Sequence, residues 1–322
     1  MSFTVLVFAA SFLILLWSSK LLPRSIAGIA RVLRLSEFIT AFFLVALATS
    51  VPELFVGISS AIQDIPAVSL GNILGANFIN LTLVIGLAAL VSGVVKGDGK
   101  ISSQNFWLIF LIAILPILLA ADDTISRIDG VILLFVFGVY IIKLFHDQQY
   151  FHKAMGGEGD VQPISSIVHH FVEFFLGIVL LLGSSFALIW SSKLMVAEYF
   201  SENLVLFGAL FIALGTTLPE LTFGIRSAME GRGHLMLGNS VGTIAFNAAG
   251  VIGIVALVNP IKADFNHSIL LISLFLFLAF ALFHIFVYTR NQISRKEGAM
   301  LILVYIAFYA ATFSGCLECL LE

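Results

Sequence analysis

Two glutamates, Glu53 and Glu220, lie within long apolar stretches of the sequence, whereas we place the other 17 acidic residues in loops, at the termini or at the ends of apolar segments. We find no Lys, Arg or His in the middle of these stretches to pair with them. An ionised carboxylate in an apolar medium is strongly unfavourable unless it is compensated. Each glutamate therefore requires a bound cation or a proton.

The neighbours of each glutamate offer oxygen ligands of the kind that hard cations such as calcium and sodium prefer. Thr49 and Thr216 each precede a glutamate by four residues, which places the hydroxyl and the carboxylate on one helix face. Pro52 and Pro219 stand directly before the glutamates and cannot donate a backbone hydrogen bond. We expect a broken helix at each proline, with backbone carbonyls free to bind an ion.

A polar stripe follows in the next apolar segment of each half. Its members are four residues apart: Asn72, Ala76 and Asn80 in the first half, and Asn239, Thr243 and Asn247 in the second. A single asparagine in a membrane helix more often joins helices than binds an ion, and a single proline kink is usually structural. Duplication of the whole set favours the ion-binding interpretation, because packing alone does not require matching Thr, Pro, Glu and Asn.

These residues belong to a sequence repeat. ALATSVPEL at 46–54 recurs as ALGTTLPEL at 213–221, and the same offset of 167 relates GNILG at 71–75 to GNSVG at 238–242. WSSK at 17–20 also recurs, at 190–193. Repeated halves with a shared polar site are typical of secondary transporters that work by alternating access.

The elements that position these residues are predicted to be membrane-spanning helices. The chain of 322 residues is 60% hydrophobic and 11% charged, with a mean hydropathy of +1.09, so lipid must be its solvent. Apolar segments long enough to cross a bilayer fall at 3–19, 37–62, 66–93, 104–121, 127–146, 166–192, 202–228, 233–258, 266–289 and 297–316. We predict an all-α polytopic protein with ten spans.

Ten spans divide into two five-helix halves, residues 1–146 and 166–322, joined by a cytoplasmic linker at 147–165. An odd number of crossings in each half makes the second half inverted relative to the first. With both termini outside, 13 of the 16 basic residues lie in inner loops and 3 in outer loops. We therefore predict a multi-pass protein of the cell (inner) membrane with the N- and C-termini outside.

Several other classes of function are not favoured. The sequence has no basic, aromatic-rich run for nucleic acid and no hydrolase or ATP-binding motif, so we expect neither an enzyme nor a cofactor. Cys316 and Cys319 lack partner ligands, and the cluster of His169, His170 and Glu173 reads as hydrated residues at a helix start. An ion gradient is the remaining source of energy.

At the two glutamate blocks the chain resembles the calcium/cation antiporter superfamily, and specifically prokaryotic sodium/calcium exchangers. Their repeats read G-[TS]-[ST]-x-P-[ED], followed by G-N-x-x-G-S-N-x-x-N/D, and both halves match. The resemblance implies that calcium and sodium share one site, with ligands from these positions: Glu53, Glu220, Thr49, Ser50, Thr216, Thr217, Asn80, Thr243 and Asn247, and the carbonyls of Ala46 and Ala213.

The chain departs from the family pattern at four positions. Ala76 replaces a serine and removes one hydroxyl expected at a sodium site, which puts a three-sodium stoichiometry in doubt. Asn247 stands where potassium-dependent relatives carry Asp, which argues against potassium coupling. Ala48 and Ile244 replace the motif Gly and Asn.

Our hypothesis from the sequence is an antiporter that exchanges calcium for sodium by alternating access at a carboxylate site near the midplane. The first and sixth helices, by resemblance, slide against the remaining bundle. The alternatives are a proton-coupled calcium/cation antiporter, because buried carboxylates can trade a proton for a metal, and a passive cation channel or structural subunit. We expect calcium, sodium and the lipid bilayer as partners, no nucleic acid, and a monomer.

Overall fold

The structure is a computed structural model that describes residues 2–18, 21, 25, 50–97, 103–148, 164–199, 203–263 and 267–321. These residues are mostly helical. The α-helices are α1 Ser2–Ser18, α2 Val51–Ile62, α3 Ala67–Ile79, α4 Ile85–Ser92, α5 Ser103–Leu119, α6 Arg127–Gln148, α7 Ile164–Tyr199, α8 Leu204–Phe207, α9 Ala213–Thr216, α10 Leu218–Met229, α11 Gly233–Ala245, α12 Ile252–Val258, α13 His267–Arg290 and α14 Arg295–Leu321.

Three of the junctions between these helices are π-helical. In a π-helix each backbone N–H bonds to the carbonyl five residues earlier, instead of four as in an α-helix. The π segments are Asn80–Val84 between α3 and α4, Gly208–Ile212 between α8 and α9, and Phe246–Val251 between α11 and α12. A short 3₁₀ turn, Ala120–Asp122, follows α5. The sequence predicts continuous spans here, because a π segment leaves no mark on hydrophobic periodicity. Such segments are common at functional sites.

Within the described residues, four helical segments are long and apolar enough to cross a membrane: Ala67–Ser92, His169–Val196, Met236–Val258 and Ser268–Tyr288. A fifth arises if Leu204–Thr216 and Leu218–Met229, which are bent by 45°, form one span. Large apolar side chains on the outer surface, such as Phe135 and Leu118, are more than half exposed, as suits contact with lipid. By this measure the described residues supply four or five of the ten predicted spans.

The order of elements in the first half recurs in the second. Helices α2 and α10 contain 12 residues each and begin 167 residues apart, the same offset that relates the sequence motifs. The same offset separates the starts of α4 and α12, and α6 and α14 begin 168 residues apart. Equivalent sequence positions therefore form equivalent structural elements.

Four short strands, which the sequence does not predict, form two antiparallel ribbons that join the halves. β1 (Val94–Lys96) pairs with β4 (Gln292–Ser294), and β2 (Thr124–Ile125) pairs with β3 (Ile261–Lys262). Strands this short pair two loops rather than build a sheet. At the offset of 167, β1 is equivalent to β3 and β2 to β4, so the repeat relates the β1–β4 ribbon to the β3–β2 ribbon.

Helix contacts between the halves follow the same equivalence. A methyl group added at Gly86 in α4 would lie 2.8 Å from the carbonyl oxygen of Gly298 in α14. One added at Gly253 in α12 would lie 3.1 Å from the carbonyl oxygen of Gly130 in α6. Small residues at both crossings let the backbones approach closely. The last helix of each half thus packs on the third apolar segment of the other.

Helices α1 and α7, which include the first and sixth predicted spans, pack along each other. The ring of Phe12 in α1 occupies the space beside Gly215, where a side chain would overlap it. In α7, the hydroxyl of Ser185 lies 2.6 Å from that of Ser59 in α2. These two helices therefore contact the segments that carry the glutamates in both halves.

Candidate cation site

Each glutamate lies near the start of a helix, and in the second half that start follows a break between α9 and α10. The residue at the break has nearly the same backbone conformation in both halves: Ser50 has φ −90° and ψ 7°, and Thr217 has φ −83° and ψ 2°. The prolines occupy the start of α2 and α10, where a missing N–H costs no helical hydrogen bond. Glu53 and Glu220 fall in the first turn, where the positive end of the helix dipole favours a carboxylate.

The sequence predicts a broken helix at each proline, and in the second half α9 ends at Thr216 and α10 begins at Leu218. In the first half α2 begins at Val51, and the residues directly before Ser50 lie outside those described. The Ser-x-x-Glu and Thr-x-x-Glu spacing matches that of a capping box, but neither Ser50 nor Thr217 makes a side-chain cap. The glutamates are thus placed at a helix start inside the protein.

Both glutamates are buried: Glu53 is 0% exposed and Glu220 is 1% exposed. Among the described residues, none donates a hydrogen bond to either carboxylate oxygen of Glu53 within 3.5 Å, and no Lys or Arg forms an ion pair with it. The hydroxyl of Thr216, from the other half, faces Glu53. A buried carboxylate in such surroundings is suited to a cation that comes and goes.

Two hydroxyls beside the glutamates make polar contacts that cross between the halves. Thr216 Oγ1 donates to Asn72 Oδ1 at 3.1 Å, and Ser50 Oγ donates to Thr243 Oγ1 at 3.5 Å. All four side chains are fully buried. A hydroxyl that donates a hydrogen bond to a neighbour keeps lone pairs on its own oxygen, and these can bind a cation.

The hydroxyl of Thr217 behaves differently from that of its counterpart Ser50. The residue equivalent to Thr243 in the first half is Ala76, which has no hydroxyl to receive a bond. Thr217 Oγ1 instead donates to the carbonyl of Ala213 at 2.8 Å, which also accepts the Thr217 N–H at 3.1 Å. The predicted Ala213 carbonyl ligand is therefore already engaged by its own helix.

The two predicted asparagine ligands lie at the π segments. Asn80 is the first residue of its segment and Asn247 the second of its own, and both are fully buried. Asn247 Nδ2 donates to Asn77 Oδ1 at 3.3 Å, whereas neither amide atom of Asn80 has a hydrogen-bond partner among the described residues. The extra residue in each π turn displaces the backbone next to these amides.

Close backbone contacts bring the asparagine helix of the first half to the second. A side chain at Gly71 in α3 would overlap the carbonyl of Val205 in α8, and one at Gly208 would overlap the carbonyl of Val68. A methyl group at Gly75 would lie 2.6 Å from the carbonyl oxygen of Ala209. These positions require glycine because the two backbones touch, and the contact lets Asn72 reach Thr216.

Contacts across the halves therefore link four predicted ligands to the opposite half: Ser50 and Thr243 to each other, Thr216 to Asn72, and Asn247 to Asn77. Thr49 and Ala46 lie outside the described residues. The roles of Asn72 and Asn77 were not predicted, although Asn72 was recognised as part of the polar stripe. The signal that could have revealed Asn77 is its position in the GNxxGxN pattern at 71–77.

Among the side chains that the structure describes, no group of three His, Cys, Asp or Glu is placed to hold a metal ion, and the side chains of Cys316 and Cys319 lie outside those described. His169 and His170 instead contact Glu173 at 3.2 and 3.4 Å near the start of α7, with the His169 side chain 68% exposed. Carboxylate, hydroxyl and amide oxygens suit calcium or sodium better than a transition metal.

Comparisons with known proteins identify the family of this chain. The family model described as sodium/calcium exchanger protein matches residues 3–145 and 169–314. The putative antiporter CaxA of Alkalimonas amylolytica is 28% identical across 94% of this chain and 96% of its own length. The sodium/calcium exchanger MaX1 of Methanosarcina acetivorans is 27% identical across 97% of this chain and 98% of its own.

Two solved structures have the same fold. The sodium-calcium exchanger NCX_Mj superposes with a TM-score of 0.62 at 25% identity, over 95% of this chain and 97% of that one. The H+/Ca2+ exchanger CAX superposes with a TM-score of 0.73 at 18% identity, over 94% of this chain and 81% of that one. The chain belongs to the sodium/calcium exchanger protein family of membrane transporters.

Proposed function

We propose that this protein is a secondary antiporter that exchanges calcium for sodium by alternating access. The observation that carries the proposal is the pair of buried glutamates, Glu53 and Glu220, each in the first turn of its helix at equivalent positions of the two halves. The hydroxyl of Thr216 from the second half faces Glu53, and buried hydroxyls and amides of the neighbouring segments contact one another across the halves. Relatives across the full chain include a protein named as a sodium/calcium exchanger.

Charge balance gives the exchange its logic. Two ionised carboxylates carry two negative charges, which one calcium ion or two sodium ions neutralise. Because the ions share these carboxylates, occupancy by one excludes the other. A third sodium ion would leave one net positive charge, whose movement across the membrane is worth about 2.3 kcal/mol per 100 mV. The missing hydroxyl at Ala76 favours two sodium ions over three.

We further propose ten spans in two inverted five-helix halves, 1–146 and 166–322, with both termini outside and residues 147–165 as a cytoplasmic linker. The recurrence of elements at a constant offset supports the repeat, as do the two equivalent ribbons and the paired glycine crossings. The proposed calcium ligands are Glu53, Glu220, Thr49 and Thr216, and the proposed sodium ligands overlap them and include Ser50, Thr217, Thr243, Asn80, Asn247 and the carbonyls of Ala46 and Ala213.

Proton coupling is the second candidate, and two observations favour it. Ala76 lacks a hydroxyl that a sodium site would use, and the H+/Ca2+ exchanger CAX has a similar fold. In that case a proton on each glutamate would replace sodium as the counter-ion.

Flux measurements on purified protein in proteoliposomes separate these candidates. Sodium, potassium and proton gradients are applied one at a time, and uptake of radioactive calcium is recorded. We expect uptake to follow the outward sodium gradient and to survive a protonophore. Uptake driven by protons without sodium would establish the second candidate, and uptake that needs no counter-ion would indicate a channel.

A further inference from the structure

Asn77 and Ile244 occupy equivalent positions of the two halves, 167 residues apart, yet their side chains differ in kind. Both are fully buried beside the candidate site. Asn77 lies on α3 and accepts a hydrogen bond at 3.3 Å from Asn247 of the second half. Ile244 has no polar atom with which to hold Asn80, the equivalent of Asn247. The repeat is therefore broken at this pair.

A side-chain amide has an oxygen that can bind a cation and an NH₂ group that cannot. Rotation of the amide by half a turn exchanges the positions of its oxygen and its NH₂ group. An asparagine that binds a cation therefore needs a neighbour that fixes its orientation. In Asn247 the NH₂ group donates to Asn77, while Oδ1 is buried and receives no hydrogen bond from a described residue. This arrangement reserves the oxygen for an ion.

We propose that Asn77 is a positioning residue that orients the Asn247 amide so that its oxygen faces the transported cation. This inference rests on the proposed function, because it presumes that Asn247 contacts the ion. The site then contains one amide that is fixed before the ion arrives, Asn247, and one that no described residue fixes, Asn80. Binding to a fixed oxygen loses less conformational freedom than binding to one that must first be ordered.

A double-mutant cycle tests the inference. N77A, N247A and the combined variant are reconstituted, and the calcium concentration for half-maximal exchange is measured together with the maximal rate. We expect N77A to raise the half-maximal calcium concentration about five- to tenfold, the size of one hydrogen bond, with a smaller effect on the maximal rate. Because Asn77 acts through Asn247, the double variant should match N247A alone.

The matched control is the equivalent pair in the other half, I244A and N80A. No hydrogen bond joins the side chains of Ile244 and Asn80. The fold-changes that I244A and N80A cause in the half-maximal calcium concentration should therefore multiply in the combined variant. Where N77A does not yield monodisperse protein, N77L replaces it, since leucine keeps a similar volume without an acceptor. N77D, which keeps an oxygen acceptor for Asn247, should bind calcium at least as tightly as the parent protein.

The results also separate this inference from the proposed function. If E53Q abolishes sodium-driven exchange while N77A leaves the half-maximal concentration unchanged, or while the N77A and N247A effects multiply, Asn77 does not position Asn247 and the exchange proposal stands. If N247A itself changes nothing, Asn247 is not a ligand and the inference fails with it. If the parent protein shows no calcium exchange, the proposed function fails.

Discussion

The two halves of the site share their acids but differ in the residues around them. Ser50 and Thr217 have the same backbone conformation, and a buried glutamate follows each by three residues. Away from this turn the equivalence is lost. The hydroxyl of Thr243 has no counterpart at Ala76.

The amides differ in the same way, since Asn77 holds Asn247 whereas Ile244 cannot hold Asn80. The two halves therefore have the same charged ligand, whereas the neutral residues around it differ. Carboxylates set the charge that the site must bind, so losing either one changes the transported charge. Losing a neutral oxygen ligand changes only the affinity of the site for its ions or the number of ions that it binds.

The largest expected effect is the loss of either carboxylate. E53Q and E220Q each remove one of two negative charges, and each should lower sodium-driven calcium exchange by about 100-fold or more, because a divalent ion in an apolar site then lacks its counter-charge. Rates in proteoliposomes measure this. Full activity in either variant would show that the two halves do not share the ion.

Backbone contact between the halves gives the second effect. Gly71 touches the Val205 carbonyl, so G71A should lower stability by about 1–3 kcal/mol through overpacking. Thermal unfolding in detergent measures it. G138A is the control, since a methyl group added there would meet no described atom within 4 Å apart from its own helix backbone and chain neighbours.

Gly238 is equivalent to Gly71, and its partner in an exact repeat would be residue 38, outside the described residues. If the repeat extends there, G238A should destabilise the protein as much as G71A does. A harmless G238A would mean that the halves pack differently at this crossing.

A smaller effect is expected from restoring the missing hydroxyl. A76S gives Thr217 a partner like the one that Ser50 has in Thr243, and should lower the sodium concentration for half-maximal exchange by about two- to tenfold. T243A removes the counterpart and should raise it. Sodium titration of calcium exchange measures both, and unchanged sodium dependence in both variants would remove these positions from the sodium sites.

The smallest effect concerns two capping boxes at the ribbons. Ser126 N–H and Oγ donate to Asp129 Oδ2 at 2.8 and 2.7 Å, and Ser294 N–H and Oγ donate to Glu297 Oε2 at 2.7 Å each. S126A and S294A should lower the free energy of unfolding by similar amounts, about 1 kcal/mol each. Unequal shifts in unfolding temperature would show that the two helix starts are not equivalent.

The sequence was enough to find the glutamates, because an acid in an apolar stretch stands out by composition alone. It also located the break at Thr217 in the second half, because a proline cannot continue the hydrogen bonds of a preceding helix. It missed the π segments, because a local change in helical hydrogen bonding does not alter the hydrophobic pattern. It also missed the ribbons, because they pair short loop segments that have no periodic pattern. The GNxxGxN pattern marks Asn77 as a candidate, but its role was missed because it depends on a contact with Asn247, 170 residues away, which the pattern does not specify.

Competition between the two ions at the glutamates tests the account most directly. Equilibrium binding of radioactive calcium to purified protein is measured at increasing sodium concentration and constant pH, with E53Q and E220Q as controls. We expect sodium to raise the apparent dissociation constant for calcium without changing the number of sites, and both variants to lose calcium binding. Calcium binding that is indifferent to sodium but is displaced by protons would contradict the claim that calcium and sodium share this site.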